Sequence, residues 1–141
     1  KYANVTESGD LRVQLSGTKT ILRPLNSVAI ADTVAREYKV EVGKMKNLTV
    51  IVFSTLNQPV KIRVDGNLGV RLARWDSGTS AFENTSEITI PVAAGLLVDL
   101  TTHPEASFLN QFTDESFVLW VKCDIAPTSG SLTVKVAGGS V

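Results

Sequence analysis

The residues best placed to do chemistry are Trp75-Asp76-Ser77-Gly78-Thr79-Ser80. Two carboxylates brought face to face can share a proton and act as acid and base. The flanks argue against that use. An apolar pair is expected before such an aspartate, and Arg74-Trp75 stands there instead. The downstream segments that would complete the pattern, Ala93-Ala94-Gly95 and Val136-Ala137-Gly138, read more simply as a turn and a chain end. The plainer expectation is a solvated turn in which Asp76 accepts a hydrogen bond from its own backbone.

The remaining reactive side chains are few. His103 is the only histidine, and its nearest acidic neighbours in sequence are Asp99 and Glu105. In an extended strand Asp99 would lie about 13 Å away, and Glu105 falls beyond the break that Pro104 imposes, so no chelate is expected. Cys123 is the only cysteine. It falls on the apolar parity of its strand and reads as a small buried hydrophobe, which leaves neither an intramolecular disulfide nor a cysteine-based zinc site. No Gly-x-Ser-x-Gly motif positions a nucleophilic serine. Asp65-Gly66-Asn67 is too short for a calcium loop and has no glutamate at the completing position. The sequons at Asn4, Asn47 and Asn84 matter only in a secreted chain. Catalytic, cofactor and metal roles are therefore unassigned, and no enzyme activity is expected. Trp75 and Trp120 are the two large aromatics that could stack on a sugar or a partner.

These residues must be held by strands. Phe117, Leu119, Val121, Cys123 and Ile125 share one parity, with Val118, Trp120, Lys122 and Asp124 on the other. That is the period of a strand with one buried face. Leu132, Val134 and Val136 alternate with Ser131, Thr133 and Lys135, and Ala126-Pro127-Thr128-Ser129-Gly130 lies between the two runs, so a hairpin over residues 117–136 is expected. Residues 48–53, Leu-Thr-Val-Ile-Val-Phe, read as a strand in the middle of a sheet and covered on both faces. Across Asn57-Gln58-Pro59, Val60, Ile62 and Val64 alternate with charged residues, so a second hairpin spans residues 48–64.

Other strands are expected at Leu11–Leu15, at Thr18–Leu22 ending against Pro24, from Val34 to Val42, at residues 70–75 leading into a loop over residues 76–84, at Ile88–Val92 either on an edge or stopping at Pro91, and at residues 96–100. Residues 104–110 are the one helical candidate, with Phe108 and Leu109 inward. Roughly eight to ten short strands, with at most one short helix, make an all-β chain. It is expected to form a single antiparallel β-sandwich of jelly-roll type. Residues 1–10 are polar and read as an N-terminal arm, and residues 11–141 as the one domain.

Composition narrows the partners. The 141 residues carry 14 Lys+Arg against 14 Asp+Glu, spread without a run, so neither nucleic acid nor an anionic membrane is an expected partner. No apolar run reaches the roughly 18 residues of a membrane-spanning helix. Lys1-Tyr2-Ala3-Asn4 does not read as the start of a signal peptide, and opening on Lys1 suggests a processed chain. Zero net charge removes the long-range repulsion that keeps copies apart, which favours association.

Two resemblances follow from these residues. The Trp75–Ser80 loop resembles that of pepsin-like and retroviral aspartic proteases, with the departures already described. The apolar-aromatic strand running into Ala126-Pro127-Thr128-Ser129-Gly130-Ser131-Leu132-Thr133-Val134-Lys135-Val136 resembles the closing hairpin of small virion proteins of tailed bacteriophages, of head-decoration and neck or fibre-base type. It covers about the last 25 residues. What this second resemblance implies is a non-enzymatic structural role in the virion, attached to a capsid or tail surface in symmetric copies, with a homo-oligomer, a trimer, as the expected state. Val118, Trp120 and Trp75 are the interface candidates: the first two because a lone sandwich would expose them on the face opposite its core, which is covered either by a second layer of this chain or by another subunit. The alternative is a carbohydrate- or receptor-binding β-module, for which Trp75 and Trp120 are again the candidates.

Overall fold

The central strands of the sandwich turn alternate side chains inward. In β3 (Lys46–Ser54), Leu48, Val50 and Val52 are fully buried while Thr49, Ile51 and Phe53 are half-exposed. In β9 (Ser116–Lys122), Phe117, Leu119 and Val121 point into the core, and in β10 (Leu132–Gly139) Leu132, Val134 and Val136 do the same. Burying such side chains contributes about 1.5–3 kcal/mol each, which is why β-branched and aromatic residues at every second position specify this architecture. The computed structural model describes residues 19–92, 96–112 and 114–139. The expected arm (1–10), the strand expected at 11–15 and the turn at 93–95 lie outside them.

The other strands are β1 (Lys19–Val28), β2 (Arg36–Glu41), β4 (Val60–Asp65), β5 (Ala73–Asp76), β6 (Ala81–Asn84), β7 (Ile88–Ile90) and β8 (Leu96–Asp99). One sheet has the order β1-β10-β3-β8 and the other β2-β9-β4-β7, all neighbours antiparallel, with β5 and β6 forming a separate two-stranded ribbon. The pairs nest: β1 with β10, β2 with β9, β3 with β8, β4 with β7, β5 with β6. The described chain is therefore one long antiparallel hairpin, coiled into two layers, with β5–β6 as its tip. This is the jelly-roll form of the β-sandwich expected from the sequence.

Both expected hairpins are corrected by this topology. β9 and β10 lie in different sheets, as do β3 and β4. Residues 123–131 and 55–59 are crossovers, and they run side by side from one layer to the other. Asn57 Nδ2 donates to Thr128 Oγ1 at 2.7 Å, the Thr128 N–H donates to Asn57 Oδ1 at 2.9 Å, and the Thr55 N–H donates to the Ser131 carbonyl at 2.9 Å. Alternation reports which side of a strand faces the core, and it is the same whether the next strand lies beside the first or across from it.

Smaller corrections have equally local causes. β1 continues past Pro24 to Val28 because it is an edge strand, and register shifts on either side of Leu25 place the proline where no ladder bond is needed. β3 is interior to its sheet, yet its outer face is half-exposed instead of covered. The loop expected over residues 76–84 contains β6. The helical candidate is a 3-10 turn at Ser107–Gln111, with Leu109 buried and Phe108 half-buried, and Pro104 precedes it in a turn. Short 3-10 turns also occur at Asn67–Gly69 and Leu100–Thr102. β7 is an edge strand that stops just before Pro91, as Pro91 requires.

Candidate functional site

The tip of the folded hairpin is where the chain presents its largest exposed aromatic surface among the described residues. β5 and β6 pair so that Trp75 stands opposite Phe82, with ring centroids 5.2 Å apart and planes at 74°. This edge-to-face geometry is the favoured one for two aromatic rings. Trp75 is 54% exposed and Phe82 72%. Along each strand alternate residues face opposite ways, so Arg74, Asp76 and Glu83 occupy the other face of the ribbon.

That other face fixes the ribbon to the sandwich. Arg74 Nε donates to Glu105 Oε2, and Glu105 Oε1 accepts the Ser86 N–H at 2.9 Å. Burial alone would raise the carboxyl group of Glu105, but the Arg74 guanidinium and the Ser86 N–H outweigh it and hold it below the usual range. Arg71 Nη2 donates to the Thr85 carbonyl, and the Thr85 N–H to the Leu72 carbonyl at 2.8 Å, closing the ribbon at its base. A two-stranded ribbon is marginal by itself in water. These bonds orient it, leaving the Trp75–Phe82 face outward.

Asp76 does what a turn aspartate does. Its Oδ1 accepts the Gly78 N–H at 2.8 Å, and that bond, more than any other contact, holds its carboxyl group below the usual range, with the Arg74 charge adding to the effect. Both favour the ionised form. Asp76→Asn is expected to leave the melting temperature unchanged, since asparagine keeps an oxygen for the Gly78 N–H. Pepstatin-sensitive peptide cleavage by the wild-type chain, lost in this variant, would contradict the reading.

The three interface candidates separate in the structure. Trp75 faces outward at the ribbon. Val118 is only 7% exposed, on a strand over which the 3-10 turn Asn67–Gly69 packs, and Ser116 Oγ donates to Asn67 Oδ1 at 2.9 Å. Trp120 is half-buried beneath Arg63, whose guanidinium carbon sits 4.3 Å from the ring centroid. A cation over an indole face is a favourable stack that shields the ring from water. The expectation that a lone sandwich exposes Val118 and Trp120 is thus corrected: residues of the same chain cover them. Phe82 escaped the sequence reading, and the signal that could have found it is the pair of aromatics flanking the Asp76–Ser80 turn.

The remaining reactive groups are dispersed. Cys123 is fully buried, and burial pushes its thiol up, as expected of a core residue. His103 Nδ1 accepts the Glu105 N–H at 3.2 Å in an exposed turn. Among the described residues, no three His, Cys, Asp or Glu side chains come together as a metal site. No helix of the described chain is long and apolar enough to cross a membrane. Asn47 and Asn84 are exposed, and Asn4 lies outside the described residues. Searches against protein-family models and against curated proteins found no match to this chain.

Proposed function

We propose that the chain is a non-enzymatic structural protein of a virion, of tailed-bacteriophage type, which attaches in symmetric copies to a capsid or tail surface through its β5–β6 ribbon. The observation that carries this reading is the exposed Trp75–Phe82 pair, held outward by the Arg74–Glu105 anchor on the opposite face. Aromatic side chains are enriched at the centres of protein interfaces because they remove large apolar areas from water at little entropic cost. The fold adds support by analogy alone, since double-sheet jelly rolls serve in viral capsids and in lectins.

The same exposed indole supports a second reading, a carbohydrate- or receptor-binding module in which Trp75 stacks on a sugar. Two measurements separate them. The purified chain is expected to cosediment with virus particles purified from the source of the sequence, at least tenfold less after Trp75→Ser with Phe82→Ser, and to stay silent on a glycan array. Sugar binding lost in Trp75→Ala, without particle binding, would establish the module instead.

A further inference from the structure

Each four-stranded sheet of the sandwich ends in two edge strands, and three of these four edges are blunted. β1 carries Pro24 and two register shifts, β7 is three residues long and stops before Pro91, and β8 is four residues long and runs into a 3-10 turn. Such interruptions keep a row of unpaired main-chain groups from templating another strand. β2 has none of them. Its six residues pair with β9 without a register shift, and they include neither proline nor glycine.

The ladder fixes which groups of β2 stay open. The Val42 N–H donates to the Glu115 carbonyl at 2.8 Å, one step beyond the Glu41–Ser116 partners. Antiparallel bonding alternates along a strand. Arg36, Tyr38 and Val40 therefore turn their main-chain groups towards β9, whereas Glu37, Lys39 and Glu41 turn theirs away from the sheet. The side chains of these last three are exposed, and none forms an ion pair with a described residue. Charges on an open edge ordinarily discourage pairing. Here their order suits one partner.

We infer that β2 pairs antiparallel with β2 of a second copy of this chain, about a two-fold axis at Tyr38. Only a register centred on a residue sets open main-chain groups against open ones and keeps the same faces of the two sheets together. A centre at Arg36, Glu37, Lys39 or Glu41 puts two like charges directly opposite each other, which is destabilising. A centre at Val40 needs Gly43 opposite Glu37, but Gly43 has φ of +57° and its N–H already donates to the Glu115 carbonyl at 3.0 Å. The centre at Tyr38 sets Glu37 of each copy opposite Lys39 of the other, so both contact points join opposite charges and exchange main-chain hydrogen bonds. The contact is isologous and closes at two copies, so a trimer would need a further one. It goes beyond the assembly reading without depending on it: the β5–β6 ribbon joins β4 to β7, on the far side of the sheet from β2.

Charge exchange tests both the contact and its register. Glu37→Lys sets lysine against lysine at both contact points, and Lys39→Glu sets glutamate against glutamate. Both positions are exposed, so each variant is expected to keep its melting temperature and far-ultraviolet circular dichroism. One short edge makes a small interface, so sedimentation velocity is run at about 100 µM. There the wild-type chain is expected to run as a dimer of its 15.1 kDa mass, and each single variant as a monomer, its association weakened about tenfold or more. An equimolar mixture of the two variants is expected to dimerise, because each copy then meets the opposite charge, and the double variant Glu37→Lys with Lys39→Glu is expected to dimerise by itself. A monomeric wild-type chain, a single variant that dimerises like the wild type, or a mixture or double variant that stays monomeric overturns the inference. Particle binding reads the ribbon and dimerisation reads β2, so failure of this contact and failure of the virion reading are distinguishable.

Discussion

Replacing Gly130 by alanine is expected to destabilise the chain by about 2–6 kcal/mol, the sum of about 1–3 for backbone strain and about 1–3 for overpacking. Gly130 has φ of +92°, a region that residues with a Cβ rarely adopt. It also lies against the neighbouring crossover. A Cβ there would collide with the carbonyl group of Thr55 and stand 2.7 Å from the Leu56 Cα. These are main-chain atoms, which cannot swing aside as a flexible side chain would. The two crossovers are joined by the Thr55–Ser131 and Asn57–Thr128 hydrogen bonds, so displacing one disturbs both. Urea unfolding of Gly130→Ala measures the effect. A loss below about 1 kcal/mol would mean that residues 123–131 do not pass the 55–59 connection as described.

Arg63→Ala is expected to cost about 3–5 kcal/mol, the penalty for stranding a buried charge. Asp65 is fully buried, and Arg63 grips it with two bonds, Nε to Oδ1 at 2.7 Å and Nη2 to Oδ2 at 2.9 Å. A third bond reaches Glu87 Oε2 at 3.3 Å, while the guanidinium covers Trp120. The Asp65 bonds, before the other contacts, push the guanidinium up and keep it charged. Alanine would remove the counter-charge, the hydrogen bonds and the lid of the indole ring together. The double variant Arg63→Leu with Asp65→Leu is expected to be the less damaged, because it leaves no fully buried charge without a partner and Glu87 remains in reach of water. If Arg63→Ala were as stable as wild type, Asp65 would have to be hydrated in solution.

Much of the sandwich could be read from the sequence, and the limits have physical causes. Period two marks β4, β9 and β10, a nearly continuous apolar run marks β3, and the proline rule bears on β7. The same period is silent about neighbours. A strand that turns back beside its predecessor and one that crosses to the opposite layer show identical alternation, so both crossovers resembled hairpins. β6 left no pattern, because all four of its residues are exposed and none alternates with a buried partner. Trp120 shows what pairing adds: its parity pointed outward, but Arg63 stands opposite it on β4, a cross-strand register between segments far apart in the chain. At the site, the sequence singled out Trp75 but not the ring opposite it.

The most direct test of the central proposal, that this jelly roll is a virion component, is quantitative mass spectrometry of virus particles purified from the source of the sequence. The chain is expected in a fixed copy number, a multiple of the symmetry of the surface it covers. Its absence from particles that are otherwise complete would contradict the proposal.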